Sequence, residues 1–188
     1  MRYGSNYVVI EFESSTVDKI QDVIENRKWN FKESLISNKN SNEISADRLS
    51  KQAWIKDPKF LKYFLDIEKE INSICSWNLD ITGIEPIQYG IYEKGNKYDW
   101  HVDQHPKPIN GIVRKISMSF FLNSPEDYEG GEFDLEIHKP NSQIRYETFK
   151  LKKGSAIFFL SHYWHRVRPI RSGVRKSLVA WYTGPPFK

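Results

Sequence analysis

The sequence predicts an α+β fold dominated by β-structure, with one or two N-terminal helices packed against a β-sandwich or jelly roll. Two observations carry this. Helical periodicity stays within the stretch up to about Trp77, and after Asn78 the chain breaks into short runs rich in Ile, Val, Phe, Tyr and Trp, separated by Gly, Pro, Asn and Asp clusters. Helices first and strands later place the helices against the sheets rather than between parallel strands. A length of 188 residues suits one core. With no internal repeat, low-complexity tract or interdomain linker, residues 1–188 read as one domain, with helical support over about 13–77 and a sheet core over about 80–184.

Tyr7 to Phe12 reads as a short strand. A helix is expected from about Thr16, with Ser15 and Asp18 resembling a capping box and Val17, Ile20 and Ile24 on one face. Lys32 to Lys56 is polar and aperiodic, which reads as a loop able to cover or admit a substrate. Pro58 to Trp77 is the strongest helix: Phe60, Phe64, Ile67, Ile71 and Ile74 keep one stripe, Asp57 is placed to cap it, and Pro58 suits the first position. Strands follow near Ile84–Glu93, Ile112–Asn123, Glu132–Ile137, Arg145–Leu151, Ala156–Leu160, His165–Ile170 and Val174–Thr183.

Composition excludes several classes. No run approaches the roughly 20 apolar residues of a membrane span, and MRYGSNYVVIEFESS does not read as a signal peptide. Cys75 is the single cysteine, so intrachain disulfides, zinc fingers and iron–sulfur clusters are ruled out, and a reducing, cytoplasmic location is expected. The net charge of +4 comes from scattered residues without a Lys/Arg block, as on an ordinary solvated surface rather than a nucleic-acid or membrane face.

Chemistry concentrates in two segments. In YDWHVDQ, His101 and Asp103 stand two apart, so on an extended chain both point to one side and can meet one ion. In HYWHRVRPIRSGVRKSLVAWY, His165 begins a strand, Arg171-Ser172-Gly173 offers a turn, and Arg175 lies on the returning strand. A hairpin there would bring His165 and Arg175 together. Two imidazoles and one carboxylate on one face of an octahedral ion leave open positions, the arrangement of non-haem iron(II) oxygenases. A nearby arginine is what a dicarboxylate cosubstrate requires, because a guanidinium grips a carboxylate through paired hydrogen bonds. If Arg175 faces the pocket, strand parity sends Ser177, Val179 and Trp181 there too, with Ser177 as a further hydrogen-bonding group and Trp181 as the floor. Ser117 and Ser119 share one face of their strand; lining the interior and simple small-residue packing both account for them. His105 and His138 read as loop or turn residues, and Gly130-Gly131 as a hairpin former, since no helix start follows.

Three blocks resemble the prolyl 4-hydroxylase-like branch of the Fe(II)/2-oxoglutarate-dependent oxygenases, especially the PKHD-type hydroxylases. They are YEKGNKYDWHVD from Tyr92 to Asp103, RKISMSFFLNSPEDYEGGEFDL from Arg114 to Leu135, and HRVRPIRSGVR from His165 to Arg175. The resemblance implies a double-stranded β-helix (jelly roll) and a dioxygenase using Fe(II), 2-oxoglutarate and O2, supported by ascorbate. It implies His101, Asp103 and His165 as metal ligands, Arg175 as the anchor of the far carboxylate, and Tyr92 beside the cosubstrate. His165 is preferred to His162 because it keeps the ten-residue interval to Arg175. Some animal prolyl hydroxylases hold 2-oxoglutarate with a tyrosine hydroxyl where this chain has Phe121. The expected reaction is hydroxylation of a C–H bond in a prolyl or other residue of a protein or peptide, with release of succinate and CO2. The same chemistry on a small molecule such as a free amino acid is the alternative. Nucleic-acid demethylation fits less well, because those relatives carry a second arginine where this chain has Trp181.

Overall fold

The computed structural model describes residues 2–3, 6–34, 48–137 and 143–187. The N-terminal part comprises β1 (Arg2–Tyr3), β2 (Tyr7–Glu11), helix α1 (Ser14–Glu25), β3 (Lys32–Glu33), β4 (Arg48–Leu49), β5 (Lys51–Ile55) and helix α2 (Pro58–Ile74). There follow β6 (Gly83–Ile84), β7 (Ile87–Tyr92), β8 (Lys97–His101), β9 (Val113–Phe121), β10 (Tyr128–Gly130), β11 (Phe133–Glu136), β12 (Tyr146–Phe149), β13 (Ser155–Leu160), β14 (His165–Val167), β15 (Ile170–Gly173) and β16 (Arg175–Gly184).

The strands pair antiparallel in two sheets and a ribbon. The major sheet runs β1-β2-β13-β9-β16-β7-β5-β3, with β6 beside β16; the minor sheet runs β12-β11-β14-β8-β4; β10 and β15 form the ribbon. Strand parity decides what each face of the major sheet meets. Ile116, Met118 and Phe120 of β9, Phe158 of β13, and Leu178, Ala180 and Tyr182 of β16 pack in one cluster with Val17, Ile20 and Ile24 of α1 and Phe60, Phe64 and Ile71 of α2. The alternate residues Phe121, Ile157 and Phe159 cluster instead with Phe133, Leu135, Phe149 and Val167 of the minor sheet. The molecule is therefore layered as helices, major sheet, minor sheet. Phe64 is fully buried between the first two layers, and its truncation to alanine would cost about 3–5 kcal/mol.

The two helices depart from expectation in instructive ways. α1 starts at Ser14 with Glu13 as its cap residue and no side-chain cap, so the Ser15–Asp18 box does not form. The backbone sets that start: the Phe12 N–H is tied to the Gly154 carbonyl, and the Glu13 carbonyl already accepts from Thr16 and Val17. α2 begins as expected, with the Asp57 carboxylate accepting from the N–H groups of Lys59 and Phe60 at 3.0 Å each. It stops at Ile74, ahead of Ser76 and Asn78, both at positive φ. Ile74 therefore leaves the stripe and is exposed, while Glu68 enters it and is buried.

The segment from Lys32 to Lys56 is not simply a loop. Its described residues form β3, β4 and β5, and β5 pairs with β7 along its whole length, burying Gln52, Ala53 and Ile55. Long-range pairing supplies the order that local periodicity lacks. Residues 35–47, like His138, lie outside the described residues. Among the described residues, no helix is long and apolar enough to cross a membrane.

Candidate metal centre

Three side chains distant in sequence converge between the sheets. β8 and β14 are neighbours in the minor sheet with His101 directly opposite His165, which puts both rings side by side, centroids 4.1 Å apart. β8 ends at His101, and Asp103 sits in the bend beyond it. The bend is held by two hydrogen bonds into the Ser161 carbonyl, from Asp103 N–H at 3.0 Å and Gln104 N–H at 2.9 Å. This turns the carboxylate back toward both imidazoles: Asp103 Oδ1 is 3.8 Å from His101 Nε2, and Oδ2 is 3.3 Å from His165 Nε2. One ligand atom from each residue lies within 4.8 Å of the others.

The rings are oriented from behind. His101 Nδ1 donates to the Asp99 carbonyl at 2.7 Å and His165 Nδ1 to the Tyr163 carbonyl at 3.0 Å. Those contacts assign the proton to Nδ1 and leave the Nε2 lone pairs facing Asp103, as metal-ligating histidines are arranged. Tyr98 stacks on His101 at 3.4 Å, and Phe159 meets His165 edge-on at 4.7 Å. Burial pulls the His101 imidazole down to about 3, helped by neighbouring His165. Burial pushes the Asp103 carboxyl up, but His165, His101 and the Ser117 hydroxyl outweigh it and hold the group well below the usual carboxylate range. A neutral imidazole and an ionised carboxylate are the forms that bind a divalent cation without first losing a proton.

Arg175 reaches the same pocket from the opposite sheet. The hairpin expected at 171–173 is absent: Ile170–Gly173 is β15, which leaves the minor sheet to pair with β10, and β16 then starts in the major sheet. Gly173 makes this crossover feasible, since its φ is +72° and a Cβ there would sit 2.1 Å from the Asp127 carbonyl oxygen. Arg175 is 1% exposed. Its Nη1 donates to Ser177 Oγ at 3.0 Å, while Nε and Nη2 have no hydrogen-bond partner among the described residues. Its guanidinium carbon lies 5.0 Å from the Phe121 ring centre and 5.5 Å from that of Tyr92. Ser177 thus holds the arginine, with its own hydroxyl proton still to donate.

Ser119, Tyr92, Ser177, Val179 and Trp181 all line the cavity, whose space, counted together with the open solvent at its mouth, is about 410 Å³. Ser117 turns the same way, its hydroxyl 2.8 Å from that of Ser161. Trp181 is buried and lines the cavity at the far end of the row from Arg175, with the Arg114 guanidinium 3.9 Å over its ring and the exposed Trp54 6.0 Å away. His105 and His162 are exposed and lie outside the cluster.

Sequence reasoning missed two polar residues of the cavity wall, Arg48 and Gln88, and the Arg114–Glu85 pair that lies beside Trp181. Arg48 lies 4.3 Å over Tyr98 and donates to Gln88 at 2.7 Å. Arg114 grips Glu85 through two hydrogen bonds of 2.7 and 2.6 Å and reaches the Asp103 carbonyl at 3.5 Å. Gln88 was open to discovery, because it shares parity with Tyr92 on β7. Arg48 was not, because only the β4–β8 pairing brings it to the wall.

The 2OG-Fe(II) oxygenase superfamily is matched over residues 87–183, just over half of the chain. A PKHD-type hydroxylase of Acaryochloris marina is 37% identical over 98 residues, 52% of this chain and 42% of that protein. One of Rippkaea orientalis is 30% identical over 141 residues, 74% of this chain and 59% of that protein. The chain thus spans about half the length of the curated relatives it matches. Among solved structures, a Pseudomonas putida prolyl-4-hydroxylase superposes with a TM-score of 0.69 at 16% identity, covering 94% of this chain and 92% of that one. A prolyl hydroxylase of Trichoplax adhaerens, solved in complex with a hypoxia inducible factor peptide fragment, gives 0.65 at 20% identity, covering 95% and 83%. The similarity to both is one of fold. By the match over residues 87–183, this chain belongs to the 2OG-Fe(II) oxygenase superfamily.

Proposed function

We propose that this chain is an Fe(II)- and 2-oxoglutarate-dependent dioxygenase that hydroxylates a C–H bond in a prolyl or other residue of a protein or peptide. The observation that carries this is the coincidence in one pocket of a His-Asp-His cluster and a buried arginine with unused donors. The two facing sheets are read as a double-stranded β-helix, with residues 1–188 forming one catalytic unit. Bound iron, 2-oxoglutarate and O2 supply the oxidising chemistry, with succinate and CO2 as the co-products.

The residues divide the remaining work. His101, Asp103 and His165 would hold the metal through two Nε2 atoms and a carboxylate. Arg175 takes the distal carboxylate, and Tyr92 walls the cosubstrate on one side. Phe133, Phe159 and Val167 keep that end of the pocket apolar, so the ionic contact to Arg175 is weakly screened. The exposed Trp54 and the Arg114–Glu85 pair, both packed beside Trp181, are read as the surface that meets the incoming substrate. Ascorbate keeps the metal ferrous, and a reducing cytoplasm suits both this chemistry and the single Cys75.

The test is incubation with Fe(II), 2-oxoglutarate, ascorbate and a panel of proline-containing peptides, free amino acids and alkylated oligonucleotides. Succinate release coupled to a product heavier by about 16 Da, one oxygen atom, is the expected outcome with a peptide. Product from free amino acids alone would move the reading to small-molecule hydroxylation. No succinate with any acceptor would overturn it.

A further inference from the structure

We propose that the hydroxyl of Tyr128 is a second donor to the distal carboxylate of 2-oxoglutarate, working beside Arg175 and doing what Phe121 cannot. The inference rests on the oxygenase reading above and adds a residue to it.

A carboxylate offers about four lone-pair sites. Arg175 can fill only part of them, because one of its edges is spent on Ser177. Phe121 packs closely under the guanidinium but presents only ring carbon. Tyr128 is different. It is 3% exposed, and its hydroxyl, like Arg175 Nε and Nη2, has no hydrogen-bond partner among the described residues. A buried donor left unpaired is costly, so three in one neighbourhood mark a place where an acceptor belongs.

The backbone brings these groups together. Tyr128 opens β10, whose partner β15 leads directly into Arg175. Gly131 lies between the two side chains: a Cβ there would sit 3.1 Å from the Tyr128 ring and 3.2 Å from Arg175 Cδ. Its φ of +65° also calls for glycine. The glycine pair therefore shapes the ribbon so that tyrosine and arginine can lie side by side. From the other side, Lys150 Nζ donates to the Tyr128 carbonyl at 2.8 Å and lies 4.8 Å from the ring centre, which fixes the ring in place. Burial pushes the phenol up against the downward pull of the Arg175 charge and of the guanidinium's hydrogen-bonding approach to the hydroxyl oxygen, so at neutral pH the phenol keeps its own proton to donate.

The experiment is isothermal titration calorimetry on the Mn(II)-loaded protein, wild type and Tyr128→Phe, with two ligands. One is 2-oxoglutarate; the other is 2-oxopentanoate, the same five-carbon chain with a methyl in place of the distal carboxylate. The expected result is a roughly ten- to hundredfold weaker Kd for 2-oxoglutarate in the variant, with 2-oxopentanoate unchanged. Equal 2-oxoglutarate affinity in both proteins would overturn the role of Tyr128 and leave the oxygenase reading intact. Equal losses for both ligands would reduce Tyr128 to packing and also overturn it. If the wild type bound neither ligand, both readings would fall together. The loss of one oxygen from a buried ring keeps its volume, and matching melting temperatures will confirm that the variant is folded.

Discussion

Arg175 and Glu68 sit on opposite faces of the major sheet, one in the pocket and one under helix α2, and each is 1% exposed. Each also carries a polar atom without a partner among the described residues, Nε and Nη2 in the first case and Oε1 in the second. The molecule handles the two burials differently. A carboxyl can shed its charge, and burial pushes Glu68 up to about 7, so in the helix layer it is neutral over much of the accessible pH range. A guanidinium cannot. In the pocket the cation persists, and the account gives it an anion brought from outside. Of these two groups, burial eases the Glu68 carboxyl toward its neutral form, while the Arg175 cation is kept where a ligand is awaited.

The largest expected effect that could break this contrast lies on the pocket face. Asp103→Ala removes the carboxylate between His101 and His165; succinate release should fall to background, about a thousandfold or more if metal-dependent charge stabilisation supplies several kcal/mol. Retention of full activity would dissociate the cluster from the chemistry. Next is Arg175→Met, which keeps bulk but deletes the cation. The 2-oxoglutarate Kd should weaken by about a hundredfold or more, as for loss of a buried charge-assisted pair. The melting temperature of the ligand-free protein should not fall, because an uncompensated buried charge is being relieved. A large drop would mean that Arg175 is a structural cation.

Glu68→Gln sharpens the other side. Its carboxyl is raised from an ordinary 4.5 to about 7 in the folded protein. Below the ordinary value both states are protonated and stability is full. As pH rises toward 7 the unfolded chain ionises first, so the contribution is progressively lost. The variant should be more stable than wild type at pH 8 by about 1–3 kcal/mol and equal to it near pH 4. The same difference at both pH values, read by thermal melts, would rule out the carboxyl as its source. The smallest effect is Asp57→Ala, which removes the α2 cap and should cost about 1 kcal/mol, a shift of a few degrees in Tm.

Much of this was legible in the chain itself. Ile116, Met118 and Phe120 alternate with Ser117, Ser119 and Phe121, and that two-residue period announces a strand with one apolar face, while leaving open what the serine face meets. The His101–Asp103 spacing and the block from His165 to Arg175 pointed to residues that do meet in space. What stayed hidden depended on pairing across distance. β5 reads as polar loop because its order comes from pairing with β7 and β3 rather than from local periodicity, and Arg48 reaches the pocket wall only through β8. The segment 171–173 looked like a hairpin turn, yet a glycine at positive φ serves equally well to send a chain from one sheet to another. Glu68 broke the helical stripe because the helix continues past a charge when its neighbours Phe64 and Ile71 are buried.

The central claim is that His101, Asp103 and His165 form one metal site. Anaerobic titration of Fe(II) into wild type, Asp103→Ala and His165→Ala, followed by equilibrium dialysis and metal analysis, tests it most directly. The account predicts one Fe(II) per wild-type chain and binding weakened by more than about tenfold in each variant. Iron bound with equal affinity by all three proteins, or by none, would contradict it.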